Sequence, residues 1–190
     1  MAVMPQSSRV QELIRRLDEA TDSSDLNAVC RSVKKVLTEE LAAGADFLDD
    51  FYLRTAPDRY ARRLLHRHPH GRYSAVVMVW DRGQGTPLHD HAGKWCVECV
   101  YRGRIKVTSF MIEGDPEAGR VQFAPESVIY AGRGEAGHLI PPFEHHTLEN
   151  AEDSPAVTIH VYSDEMTWCH AFFPEENGWR RERRELSYTA

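Results

Sequence analysis

The residues best suited to chemistry are His89 and His91, which bracket Asp90. In a strand, residues i and i+2 point to the same side. Both imidazoles can therefore reach one metal ion while Asp90 points away. Imidazole nitrogen suits iron, zinc, copper or nickel. A second histidine segment, Pro141-Pro142-Phe143-Glu144-His145-His146, lies downstream. His145 and His146 are neighbours and face opposite ways in an extended segment, so at most one of them joins the first pair. His66, His68 and His70 also alternate, but Pro69 and Gly71 mark a turn and the surrounding arginines disfavour a cation. His138 and His170 have no partner identifiable from the sequence.

A second chemical feature is the alternation of Thr158, His160 and Tyr162 with Ile159 and Val161. It puts three polar groups on one strand face and an aliphatic pair on the other. Directed inward, the polar face needs partners or a ligand to offset burial; directed outward, it is a surface stripe. Cys96 and Glu98 share a face in the same way, and an inward carboxylate there needs a partner or a raised pKa. Cys96 and Cys99 face opposite sides of a strand. No CxxC pair repeats among Cys30, Cys96, Cys99 and Cys169, which argues for free thiols in a reducing compartment rather than structural zinc.

These residues need a β scaffold. From Tyr73 the hydrophobic period becomes two, and strands are predicted at Tyr73–Trp80, Trp95–Tyr101, Arg104–Ile112, Glu126–Ala131, Pro155–Tyr162 and Met166–Phe173. Turns separate them at Asp81-Arg82-Gly83, Arg102-Gly103, Glu113-Gly114-Asp115-Pro116 and Gly132-Arg133-Gly134. Upstream, Val10, Leu13, Ile14 and Leu17 follow a helical period, as do Leu26, Val29, Cys30, Val33, Leu37 and Leu41. The break at 21–25 offers helix caps, and Tyr60, Leu64 and Leu65 form a third, weaker helical patch. The predicted layout is a single mainly-β domain over 1–190: a helical N-terminal layer at 1–66, a small barrel or sandwich at 73–175 and a charged surface tail at 176–190.

Composition sets the surroundings. A net charge of −6 gives no basic field for nucleic acid. Apolar runs fall short of the ~20 residues that cross a bilayer, and residues 1–6 have no cationic start or apolar signal core. A soluble, cytoplasmic protein with no nucleic-acid or membrane partner is expected; oligomeric state is not legible.

The wider spacing resembles the two motifs of a cupin, a small jelly-roll-like β-barrel. Gly83, His89, His91 and Gly103 fall at the positions of the first motif, and His146 and Asn150 at those of the second, with Pro141 upstream. That spacing favours His146 over His145. The second motif usually carries glycine where Phe143 stands, and the first usually carries a glutamate ligand where Cys96 stands. Without that glutamate the ligands reduce to three neutral histidines, which leaves positions open for an anionic substrate and O2.

From about Tyr60 to Ser163 the chain further resembles the cysteine dioxygenase family of thiol dioxygenases. The carriers are His89-Asp90-His91 with Cys96 and Gly103; His146 to Asn150; and Thr158, His160, Val161, Tyr162 and Ser163, which resemble a Ser-x-His-x-Tyr-Ser strand. Trp80, nine residues before His89, and Tyr60-Ala61-Arg62, like a Tyr-x-Arg segment, complete the set. The resemblance implies Fe(II) on His89, His91 and His146, a small thiol and O2 as substrates, and oxidation of L-cysteine to cysteine sulfinic acid. It implies that Arg62 holds the substrate carboxylate, with Tyr60 and Trp80 also at the substrate, and that Tyr162, His160 and Cys96 serve the reaction. In mammalian members the cysteine matching Cys96 is joined by a thioether to the tyrosine matching Tyr162. Departures are Asp164 in place of proline and Trp95 in place of histidine. Bacterial members that act on 3-mercaptopropionate generally lack the arginine matching Arg62; Arg63 beside it leaves the alignment open by one residue. The competing readings are oxidation of 3-mercaptopropionate or another small thiol, a metal-dependent cupin isomerase, and a non-catalytic metal-binding sensor.

Overall fold

Two amphipathic helices open the chain, α1 (Ser8–Ala20) and α2 (Leu26–Ala42). Their first turns leave backbone N–H groups without helical partners. Ser7 Oγ accepts one from Val10 at 3.3 Å, and Asp25 accepts one from Asn27 at 2.9 Å. In this computed structural model the structure describes residues 7–44, 46–113 and 121–190. The segment 1–6 and most of the expected turn at Glu113-Gly114-Asp115-Pro116 lie outside the described residues.

Val10, Leu13 and Leu17 on α1 and Val29, Cys30, Val33, Val36, Leu37 and Leu41 on α2 are buried. They pack on Ala75, Val77 and Val79, on Val97 and Cys99, and on Val157, Ile159 and Val161. Those residues form one face of a five-stranded antiparallel sheet. It is built from β1 (Ala61–Arg67), β2 (Ser74–Trp80), β4 (Cys96–Arg102), β7 (Ala136–Leu139) and β9 (Ala156–Tyr162), in the order β1-β2-β9-β4-β7. The opposite face meets a six-stranded sheet of β3 (Leu88–His89), β5 (Arg104–Glu113), β6 (Gln122–Gly132), β8 (His146–Asn150), β10 (Trp168–Glu175) and β11 (Gly178–Glu185). Its order is β11-β10-β3-β8-β5-β6. The architecture is mainly β with helices at the N-terminal side, as two sheets rather than one hydrogen-bonded ring. The core between them includes Val76, Met78, Trp80, Cys96, Ile105, Leu148 and Tyr162.

Two expectations need correction. The patch at Tyr60, Leu64 and Leu65 is not helical: Ala61–Arg67 is a strand, and a short helix α3 (Asp50–Leu53) precedes it. Arg62 pairs with Met78 and Leu64 with Val76. One face of β1 meets the helices and the other the inter-sheet space, so it lacks alternation, and its apolar spacing coincides with a helical i, i+4. The charged tail is also a strand. Residues Gly178–Glu185 pair with β10 along their length, at the edge of the six-stranded sheet. Charge on an edge discourages pairing with other chains, so a charged strand reads in sequence like a solvated tail.

Gly103 turns the chain between β4 and β5 with φ +76, and a Cβ there would sit 3.0 Å from both Ala156 Cα and Cβ. Only glycine tolerates both that backbone and that proximity. No helix among the described residues is long and apolar enough to cross a membrane.

Candidate metal centre

His89 ends β3 and lies directly across the ladder from His146, the first residue of β8. Their rings sit 4.7 Å apart between centroids. The β3 strand stops at His89, so His91 is placed by a turn rather than by strand alternation. Asp90 builds that turn. Its Oδ1 accepts N–H groups from Ala92 at 3.1 Å and His170 at 2.9 Å, and Oδ2 lies 2.8 Å from His170 Nδ1. Burial works against its charge, but these hydrogen bonds hold its carboxyl below the usual carboxylate range. His170, without a partner in the sequence, thus anchors the turn. The His91 ring lies 5.1 Å from that of His89 and 5.0 Å from that of His146.

One ligand atom from each of these three histidines lies within 4.8 Å of the others. His91 and His146 are buried, and both ring nitrogens of His146 and Nδ1 of His91 lack hydrogen-bond partners. Burial, followed by the neighbouring imidazoles, pushes His89 down to about 3 and His146 well below the ordinary histidine range. Converging imidazoles with orphaned buried nitrogens fit a divalent metal, which binds the unprotonated form. His145 points the other way, its ring against Phe123 and Phe172.

The polar face of β9 points into the same space. Trp80 Nε1 donates to Thr158 Oγ1 at 2.9 Å, and Thr158 Oγ1 lies 2.8 Å from His160 Nε2. With the indole donating to its oxygen, the threonine hydroxyl is free to give its proton to Nε2. The other ring nitrogen of His160, Nδ1, faces Glu98 Oε2 at 3.6 Å. Burial pushes His160 down to about 3. The rings of His160 and Tyr162 stack at 5.9 Å. Cys96 lies opposite Tyr162 across the β4–β9 ladder, and burial raises both groups well above their ordinary pKa values.

The histidines open onto a cavity of about 360 Å³ that is also lined by Tyr60, Arg62, Met78, His160 and Tyr162. Arg62 is buried; its Nη2 donates to the Met166 carbonyl at 2.6 Å, and its Nε has no partner. Arg63 faces the helical side, where it donates to the Arg54 carbonyl at 2.5 Å and lies over the Phe51 ring. Tyr60 stacks on Trp80 at 4.5 Å, and burial raises its pKa.

Sequence reasoning missed several groups here. Arg184 and Leu186, from the supposed tail, line the cavity, and Tyr188 stacks against Arg62 at 4.8 Å. The last residues run back to β1, where the Thr189 N–H donates to the Arg62 carbonyl at 2.7 Å. Glu144 was passed over beside the histidines; its Oε2 accepts the His91 backbone N–H at 2.9 Å. Its position two residues before His146 was the one available signal.

The family model described as cysteine dioxygenase type I matches residues 4–175. The chain is 26% identical over 162 residues to cysteine dioxygenase type 1 of Rattus norvegicus, covering 85% of this chain and 77% of that one. It is 22% identical over 164 residues to cysteine dioxygenase type 1 of Danio rerio, covering 86% and 78%. Among solved structures, a Klebsiella pneumoniae protein with a double-stranded β-helix domain matches with a TM-score of 0.48 at 16% identity, covering 74% of this chain and 99% of that one. An oxalate oxidase in complex with the substrate analogue glycolate matches with a TM-score of 0.43 at 20% identity, covering 64% and 62%.

Proposed function

The chain belongs to the cysteine dioxygenase type I family, whose cupin fold it shares, and on that premise we propose that it is an Fe(II)-dependent thiol dioxygenase acting on L-cysteine. The observation that carries this reading is a single cavity lined by three convergent histidines and a buried arginine, Arg62. The reaction takes a thiol and O2 to a sulfinic acid; both oxygen atoms end on sulfur and no outside reductant is consumed.

Under this reading His89, His91 and His146 hold the iron, which supplies the chemistry that joins a thiolate to O2. The protein's own residues do the rest. Arg62 lines the cavity and its Nε has no hydrogen-bond partner among the described residues; its role is to clamp the substrate carboxylate with a charge-assisted hydrogen bond. Tyr60, pressed flat on Trp80, forms the wall beside that clamp. Tyr162 stays protonated because burial raises its pKa, so its hydroxyl is a donor toward the reacting centre. Trp80 and Thr158 hold the His160 ring in place, which keeps the wall beside Tyr162 rigid. Met78, Leu148 and Ala171 exclude water from the rest of the cavity.

The test is O2 consumption by iron-loaded protein with cysteine, 3-mercaptopropionate and cysteamine in parallel. The expected result is uptake with cysteine and stoichiometric cysteine sulfinate. Faster turnover of 3-mercaptopropionate moves the substrate but keeps the chemistry, and no uptake with any thiol by iron-bearing protein overturns the proposal.

A further inference from the structure

The outer nitrogens of the three histidines all face oxygen. His89 Nδ1 lies 3.0 Å from the Pro87 carbonyl, and His91 Nδ1 lies 3.4 Å from Glu144 Oε2. His146 Nδ1 lies 3.8 Å from Glu98 Oε1. Glu98 is the unusual one. It is nine-tenths buried, its Oε2 has no hydrogen-bond partner, and the groups in ion-pair range of it are His146 and His160. A buried carboxylate without a cation is costly, and burial pushes the Glu98 carboxyl up to about 8. The fold places this one beside a buried imidazole that itself has no partner on either nitrogen. One divalent cation on the inner nitrogen of His146 resolves both deficits: the imidazole gains its ligand bond, and the carboxylate gains a positive charge at one remove.

We propose that Glu98 is a positioning residue for the metal centre, its carboxyl group on β4 accepting the Nδ1 proton of His146. The proposal rests on the metal-binding reading above. Strand parity makes this placement possible. Cys96 and Glu98 share the inward face of β4, and Glu98 sits directly across the ladder from His160. Moving two residues along that face brings the carboxylate behind a ligand instead of onto the metal. The 3.8 Å separation exceeds a hydrogen bond, and a small rotation of either side chain closes it once His146 is fixed by coordination. Carboxylate–histidine pairs of this kind orient the ring and raise its basicity, and losing one typically costs about 10–100-fold in metal affinity.

The discriminating experiment measures Co(II) binding to the full chain by equilibrium dialysis and visible ligand-field spectrum, for wild type, Glu98→Gln and Glu98→Leu, with thermal unfolding of each metal-free protein. Glu98→Gln removes the charge but keeps an acceptor; Glu98→Leu removes both. The expected order of affinity is wild type, then Gln, then Leu, with the Leu variant weakened about 10–100-fold and its cobalt spectrum altered. The metal-free Leu variant should unfold at the same temperature or higher, because a buried polar group whose Oε2 has no partner among the described residues is gone. A merely structural role predicts the opposite pattern, with lost stability and unchanged affinity, and that result overturns the inference. Wild-type protein that takes up no cobalt overturns the metal site itself; wild-type uptake matched by both variants overturns the role of Glu98 alone.

Discussion

The two sheets meet at one cavity but contribute differently to it. All three candidate metal ligands belong to the six-stranded sheet or its β3 turn, whereas Arg62, His160 and Tyr162 come from the five-stranded sheet. The five-stranded sheet is buried on both faces, and every residue of β2 and β9 is buried. The outer face of the six-stranded sheet meets solvent, and much of β5 and β6 is half-buried or exposed. Packing therefore fixes the groups proposed to read the substrate. The candidate metal ligands depend also on local hydrogen bonds, such as those of Asp90 that build the turn carrying His91. Such a division lets the metal half adjust on binding while the substrate half stays preorganised.

The largest effect that sharpens this comparison comes from His91→Ala. Two imidazoles hold a divalent ion poorly, so bound iron should fall by more than about 100-fold in affinity, beyond the loss of an outer-sphere partner, and O2 uptake should vanish. Because the His91 side chain is fully buried, the metal-free variant should also lose some stability through the cavity left behind, so metal content is measured on protein shown to be folded. Metal analysis after dialysis decides the matter; full iron occupancy would sink the ligand assignment.

Leu37→Ala probes the other half. Leu37 is buried in the core between α2 and the five-stranded sheet. The cavity it leaves should cost about 2–5 kcal/mol in denaturant unfolding. Metal affinity should stay within about twofold, as for sites that share no partners. A parallel loss of metal would show that the two sheets respond as one body.

Arg62→Ala should remove a charge-assisted hydrogen bond worth about 1.5–3 kcal/mol, or roughly 10–150-fold in kcat/KM for cysteine. The loss should fall mainly on KM, and cysteamine, which has no carboxylate, should be spared. Equal losses on both thiols would mean that Arg62 acts by bracing Met166, whose carbonyl it already binds.

Much of this division was legible in the sequence, for a physical reason. Strand parity is local, so the shared faces of Cys96 with Glu98 and of Thr158 with His160 and Tyr162 follow from spacing alone. Which way a face points is not local. It depends on helices α1 and α2 covering Val157, Ile159 and Val161, which leaves the polar side to the cavity. The core strands were readable because β-branched runs such as Ser74–Trp80 have no helical period. The strands β1 and β11 were not, because both are sheet edges whose character is set by distant partners, buried arginines in one and edge charges in the other. The Asp90–His170 contact spans 80 positions, and the approach of Tyr188 to Arg62 closes a still longer stretch of the chain. The position of His91 was anticipated for an incomplete reason, since a turn held by Asp90 does what strand alternation was expected to do.

The smallest effect is expected on the solvent face of the six-stranded sheet. Lys106 and Glu149 face each other across the β5–β8 ladder, with Lys106 Nζ 3.3 Å from Glu149 Oε2. Both side chains are roughly a third to a half exposed, so water and salt screen the pair and it is worth about 0–1 kcal/mol. Lys106→Ala should therefore lower the melting temperature by no more than about 4 °C, the shift that ~1 kcal/mol gives in a chain of this size. The difference should shrink further at high salt. Metal affinity should not move, although Glu149 lies on the same strand as His146, because its side chain points away from the cavity. A loss as large as that of Leu37→Ala would mean that the outer face of this sheet is packed as tightly as its counterpart. The contrast between a preorganised substrate half and an adjustable metal half would then have to be abandoned.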